Sequence, residues 1–292
     1  MTNTTQHNNY PGMAQSWGIF GIAVLSMLLF SPVLIVLQNV LGKELSFLLY
    51  YLCSMGLPLV FAHLARKKNT GNDKYNFSLG SIKIMALVSI GIIAIQNGIV
   101  SPVVNQIPMP DSVKDMFLEL ANQKGIFPFI AVVIAAPVLE ELIFRGIILD
   151  GLLRRYSPLK SILFSSLLFG LVHLNPWQFV SALLIGLFSG WVFYRTGKLF
   201  LSVLIHFVNN VFAYAGMYFS DTETMMDMTL TEYYGGTINL VLIITGAISI
   251  AVGCIWLLKK EFSVGEPYVW QTLTKEAPVL QGENVTETNN ET

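Results

Sequence analysis

Apolar residues run along this chain in eight long blocks, roughly 17–41, 45–65, 82–104, 126–153, 158–175, 177–195, 198–218 and 237–258, with short polar stretches between them. About 20 apolar residues in a helix cross a bilayer. Within lipid only helices and closed barrels satisfy their own backbone, and runs this long predict helices. The blocks at 158–175, 177–195 and 198–218 are short and tightly linked, with turn signals at Asn175-Pro176 and Thr196-Gly197. The expected fold class is an all-α membrane protein, a bundle of about eight transmembrane helices.

A different element is predicted between the third and fourth blocks. Pro110-Asp111-Ser112 offers a helix start, and Val113, Met116, Phe117, Leu120 and Ala121 recur at helical spacing. Asp115, Glu119 and Gln123 fall on other faces, as in a short helix lying in the membrane interface. An amphipathic loop helix packed on the protein fits the same pattern. The first apolar block has no basic residue before it and no clear cleavage site, so it reads as a retained span. The expected organisation is a flexible N-terminal tail at 1–16, a polytopic domain at 17–259 with its chemistry in 126–218, and a polar flexible tail at 260–292.

Composition agrees with a membrane protein: 53% hydrophobic residues, 12% charged residues and a mean hydropathy of +0.60. A net charge of −1 gives no basic surface for nucleic acid. Cys53 and Cys254 both lie in apolar blocks and predict buried hydrophobes rather than a disulfide.

Lys and Arg set the expected orientation. Arg66, Lys67, Lys68, Lys74, Lys83, Arg154, Arg155, Lys160, Arg195, Lys198, Lys259 and Lys260 all fall on one face if there are eight spans. The other face has Lys43, Lys114 and Lys124 and the acidic Asp221, Glu223, Asp227 and Glu232. Both termini are therefore expected in the cytoplasm, in an integral protein of a bacterial plasma membrane.

The chemistry begins with Glu140, Glu141 and Arg145, all inside the fourth block. A charge at the centre of a membrane helix costs about 2.5–3.5 kcal/mol even on lenient scales, so three in one span call for a reason. Glu141 and Arg145 stand at i and i+4 and can pair. Glu140 points about 100° away and has no such partner in its own helix. A buried carboxylate without a cation suits a general base; a cluster that only binds helices together is the plainer alternative. His173 closes the fifth block one turn after Phe169, and His206 lies mid-block in the seventh with Asn210 at i+4. Asn209 is expected to point elsewhere and serve helix packing.

In this order, Glu-Glu-x-x-x-Arg, Phe-x-x-x-His and His-x-x-x-Asn resemble the CPBP family of intramembrane proteases, also called the ABI or CAAX-protease family. That family includes the Ras-converting CAAX endopeptidases and many bacterial homologues. The resemblance is detailed over about 126–215. It implies an endopeptidase that cleaves a membrane-embedded or lipidated peptide or protein. Glu140, with His173, would activate water, His206 and Asn210 would stabilise the oxyanion, and Arg145 would hold Glu141. The family is often labelled a metalloprotease, although a metal-free glutamate mechanism is also implied. A zinc site here would use Glu140, His173 and His206, but no His-Glu-x-x-His motif is present, and no cofactor is expected. Two other readings stay open: a non-catalytic peptide-binding or bacteriocin-immunity membrane protein, and a proton-coupled transporter. The charge pattern places the cavity centrally or towards the outer leaflet.

Overall fold

The computed structural model describes residues 9–219, 221–263, 265, 267 and 268. Of the two expected tails, residues 1–8 and 269–292 lie outside the described residues. The elements are α1 (Met13–Leu41), α2 (Lys43–Thr70), α3 (Ile82–Val104), α4 (Asp111–Ala121), α5 (Ile126–Leu153), α6 (Pro158–Leu171), α7 (Pro176–Thr196), α8 (Leu199–Phe219), α9 (Thr222–Asp227), α10 (Leu230–Tyr233) and α11 (Thr237–Phe262). No strand occurs among the described residues. Seven of these helices, all but α4, α6, α9 and α10, are long and apolar enough to cross a membrane. The chain is an all-α integral membrane protein.

The fifth block differs from its expected extent. α6 has 14 residues and ends at Leu171, not near 175. At 1.5 Å per residue it measures roughly 21 Å, short of a hydrocarbon core of about 30 Å. Its end follows from local chemistry. Pro176 holds the preceding residue in extended backbone, Asn175 caps α7 by accepting from the Gln178 N–H, and Leu174 turns the chain with φ of 57°. His173 therefore sits in the turn between α6 and α7.

Small residues let α6 and α7 pack closely, as in other helix pairs in lipid. Gly186 lies so near Ser166 that an added Cβ would come within 2.9 Å of the serine Cβ and 3.0 Å of Arg145 Nη2. α5 runs through the middle of the bundle. In its most apolar stretch 44% of residues are buried, against 17% in α1 and 11% in α11, whose exposed Leu, Ile and Val side chains suit contact with lipid. α5 widens into π-helical bonding at 130–135 and 142–149, the first stretch lying just ahead of Pro137, which has no N–H for the regular ladder.

Contacts sort the loops into two ends. At one end Lys83 pairs with Glu261 at 2.5 Å, Lys198 Nζ donates to the Leu79 carbonyl, Arg195 donates to the Phe262 carbonyl, and Asn9 donates to the Arg154 carbonyl. α1 starts at Met13, earlier than expected from the apolar block, and Asn9 to Gly12 lie against this end. At the other end Lys43 pairs with Glu119, Lys114 with Asp227, and Trp177 Nε1 donates to the Ile107 carbonyl. α4 lies across this second end, starting at Asp111 as the sequence suggests. Val113, Phe117, Leu120 and Ala121 are at least partly buried, while Met116, expected on the same face, is 56% exposed.

Candidate active site

Side chains from α2, α5, α6, α7 and α8 surround a cavity of about 320 Å³ whose walls are mostly apolar. α5 lines it with the stripe Pro128, Val132, Ala136 and Glu140, each four residues apart on one helix face. Glu140 sits roughly 20 Å from either end of α5, at mid-depth. Phe169 and His173 enter from the end of α6, and His206, Asn209 and Asn210 from α8. Three sequence motifs on three helices thus share one chamber.

Glu141 and Arg145 stand behind the cavity wall, both 0% exposed. Arg145 Nε approaches Glu141 Oε2 at 3.2 Å, a charge pair without hydrogen-bond alignment. The guanidinium also lies 4.3 Å from the centre of the Phe169 ring, a cation–π contact in a site shielded from water. Phe169 in turn meets His173 and His206 edge-to-face, each at 5.5 Å between centroids. One aromatic ring thereby spaces the arginine and both imidazoles.

The hydrogen bonds of the two histidines define which nitrogen faces the cavity. His173 Nδ1 is 2.9 Å from the Phe169 carbonyl, which can only accept, so Nδ1 donates and Nε2 keeps its lone pair. His206 Nδ1 is 3.2 Å from Glu141 Oε1, and an arginine-paired carboxylate likewise accepts. His206 Nε2 then faces Glu140 Oε2 across 3.9 Å. That distance is too long for a direct hydrogen bond, and a water bonded to both atoms would sit to the side of the line joining them, in the cavity.

Tyr51 of α2 is the residue that sequence reasoning missed. Its hydroxyl donates to Glu140 Oε1. Glu140 Oε2 has no hydrogen-bond partner among the described residues, although it is buried. One oxygen of the acid is therefore held and the other is left to face His206. The only signal in the sequence was that a tyrosine inside an apolar run needs an acceptor for its hydroxyl.

Asn210 Nδ2 donates to the Val132 carbonyl at 2.8 Å, within the widened stretch of α5. Asn209, expected to point away, lines the cavity and donates to Asn210 Oδ1 at 3.2 Å. The reason is spacing: residues three and four apart share a helix face, so Asn209 stands beside His206 as Asn210 does. Glu140, His173 and His206 all reach the cavity, yet among the described residues no three His, Cys, Asp or Glu side chains converge where a metal ion could be held. Zinc does not fit these side chains as they stand.

The structure is a helical membrane protein with a buried acid, two imidazoles and an amide around one chamber. Residues 122–212 match the Rce1-like family, described as Type II CAAX prenyl endopeptidase Rce1-like. The match runs from α5 into α8 and supports the resemblance of this motif-bearing stretch to the CPBP/CAAX protease family. No curated protein and no solved structure matches the chain.

Proposed function

We propose that this chain hydrolyses a peptide bond of a membrane-associated peptide or protein, with Glu140 as the base that activates water. The observation that carries this reading is the asymmetry of Glu140: Oε1 accepts from Tyr51, and the buried Oε2, without a hydrogen-bond partner among the described residues, stands 3.9 Å from His206 Nε2 at the cavity wall. A water seated there loses a proton to Glu140 Oε2 as its oxygen adds to the peptide carbonyl. His173, whose Nε2 lone pair faces the cavity, assists the same proton transfer. The proton then passes to the departing amine as the tetrahedral intermediate collapses.

The carbonyl oxygen gains charge in that intermediate and needs donors already aimed at it. A primary amide has two N–H groups, and Asn210 spends one on the Val132 carbonyl. The second is available to the oxyanion, alongside His206 Nε2 once that nitrogen carries a proton. Arg145 balances Glu141, which leaves a single working carboxylate in the chamber. The mostly apolar walls suit an apolar peptide segment.

Glu140→Ala tests this reading. The purified variant is expected to insert and fold like the parent and to cleave no peptide from a quenched apolar library. Cleavage by the purified variant would remove Glu140 as the base. Because the donor set does not converge on a metal position, cleavage by the parent protein is expected to persist through dialysis against EDTA.

A further inference from the structure

Every membrane-spanning helix that lines the cavity does so between mid-depth and one end of the bundle. α2 contributes Phe47 and Tyr51 but not its second half, and α5 contributes nothing beyond Glu140. α7 contributes Gln178 to Ile185, near its start, and α8 contributes His206 onwards, towards its end at Phe219. The rim is formed by Phe117, Lys124, Gln178 and Tyr218, at the end where α4 lies. The opposite half is filled: Leu149, Leu152, Leu199 and Phe193 are buried, and the Tyr75 ring lies 3.0 Å from where a Cβ on Gly146 would stand.

The two ends also differ in charge. Arg66, Lys83, Arg154, Lys160, Arg195 and Lys259 mark the filled end, whereas among the described residues Lys43, Lys114 and Lys124 are the cations at the cavity end. Cytoplasmic loops carry the excess of Lys and Arg, so the filled end is the cytoplasmic one. Asn9 and the end of α11 both lie there.

We infer that the cavity is loaded from the non-cytoplasmic face, by a polypeptide segment that has already crossed the membrane. This rests on the peptidase reading for its chemistry but not for its direction. A lipidated tail made in the cytoplasm would meet the filled half, where Arg66, Asp150 and Tyr75 close the bundle. A segment arriving from the other face meets α4, held by exposed pairs such as Lys43–Glu119, and the Lys124 ammonium on the Tyr218 carbonyl at 3.3 Å. The reaction that supplies the substrate is therefore export, and the products are released outside the cytoplasm or into the outer leaflet.

Two measurements on the full chain decide the direction. In a background with Cys53→Ala and Cys254→Ala, a membrane-impermeant maleimide added to intact cells is expected to label Asn122→Cys, beside the rim. It is expected to label Lys160→Cys only after lysis. The reverse pattern overturns the inference. Intact spheroplasts producing the parent protein are then given a quenched apolar peptide with charged, impermeant tags. Cleavage at the rate found after permeabilisation, and absent in Glu140→Ala, supports loading from outside; cleavage only after permeabilisation overturns it. Failure to cleave under either condition counts against the peptidase reading, while the labelling still decides which way the cavity faces.

Discussion

Glu140 and Asp150 stand on the same helix, both buried, in opposite halves of the bundle, and their surroundings differ in kind. Asp150 has Arg66 at 3.5 Å and Arg154 at 3.4 Å. Arg66 is itself covered by the Tyr75 ring at 4.7 Å and donates to the carbonyls of Asn72 and Lys74, and only a small hollow of about 20 Å³ adjoins the group. Glu140 has a neutral tyrosine on one oxygen, an imidazole at 3.9 Å from the other, and a cavity of about 320 Å³ in front of it. Burial alone does not separate the two acids. Compensation does: an acid matched by cations and carbonyl contacts joins helices, and an acid matched by neutral donors beside a cavity is equipped to move a proton.

α2 takes part in both halves. It sends Tyr51 to Glu140 and Arg66 to Asp150, so the same pair of helices is joined beside the cavity and again in the filled half. The Arg66–Asp150 contact thereby fixes how far along α5 the tyrosine meets its acid.

The widest separation is expected between Glu140→Gln and Asp150→Asn. A positioned base contributes about 10²–10⁴ in rate, so Glu140→Gln should lose that much in kcat with an unchanged Tm. Removing one partner of a buried pair costs about 3–5 kcal/mol, so Asp150→Asn should lower Tm sharply while the folded fraction cleaves at close to the parent kcat. Thermal unfolding in detergent and initial rates on one peptide measure both. Equal effects on rate and stability in the two variants would erase the distinction.

Tyr51→Phe sharpens the comparison at a smaller scale. A hydrogen bond to a charged group contributes about 1.5–3 kcal/mol, so kcat is expected to fall roughly 10- to 100-fold with KM little changed. A rise in KM with constant kcat would assign Tyr51 to the substrate instead. Gly186→Ala is smaller again. Its Cβ would press on Ser166 and Arg145, costing about 1–3 kcal/mol and lowering both Tm and rate through the displaced arginine. Lys43→Ala, at an exposed pair, should leave Tm within measurement scatter, because such pairs contribute little in water.

Much of the architecture was legible because long apolar blocks have few alternatives in lipid, and α4 announced its start at Asp111 through its flanking proline and its spacing. The extent of the fifth block was not. Its apolar run continues to Leu174, while the helix stops at Leu171 because Asn175 and Pro176 already serve the next one. In the site, the charged and imidazole residues were conspicuous by their cost in an apolar run. Tyr51 was not, since one of two adjacent tyrosines looks the same whether it meets an acid or an interface. Arg66 opens the run Arg66-Lys67-Lys68 and resembles any flanking cation, yet it is 4% exposed and bonded into the bundle. The widened stretches of α5 leave no mark in the sequence beyond Pro137.

The central claim is that substrate occupies the half of the bundle around Glu140 and not the half around Asp150. A peptide carrying a photoreactive phenylalanine analogue, irradiated with the purified parent protein and mapped by mass spectrometry, tests this directly. Crosslinks are expected within 117–124, 178–185 and 209–218, along the cavity wall. Crosslinks concentrated at 66–76 and 146–154 would contradict the account.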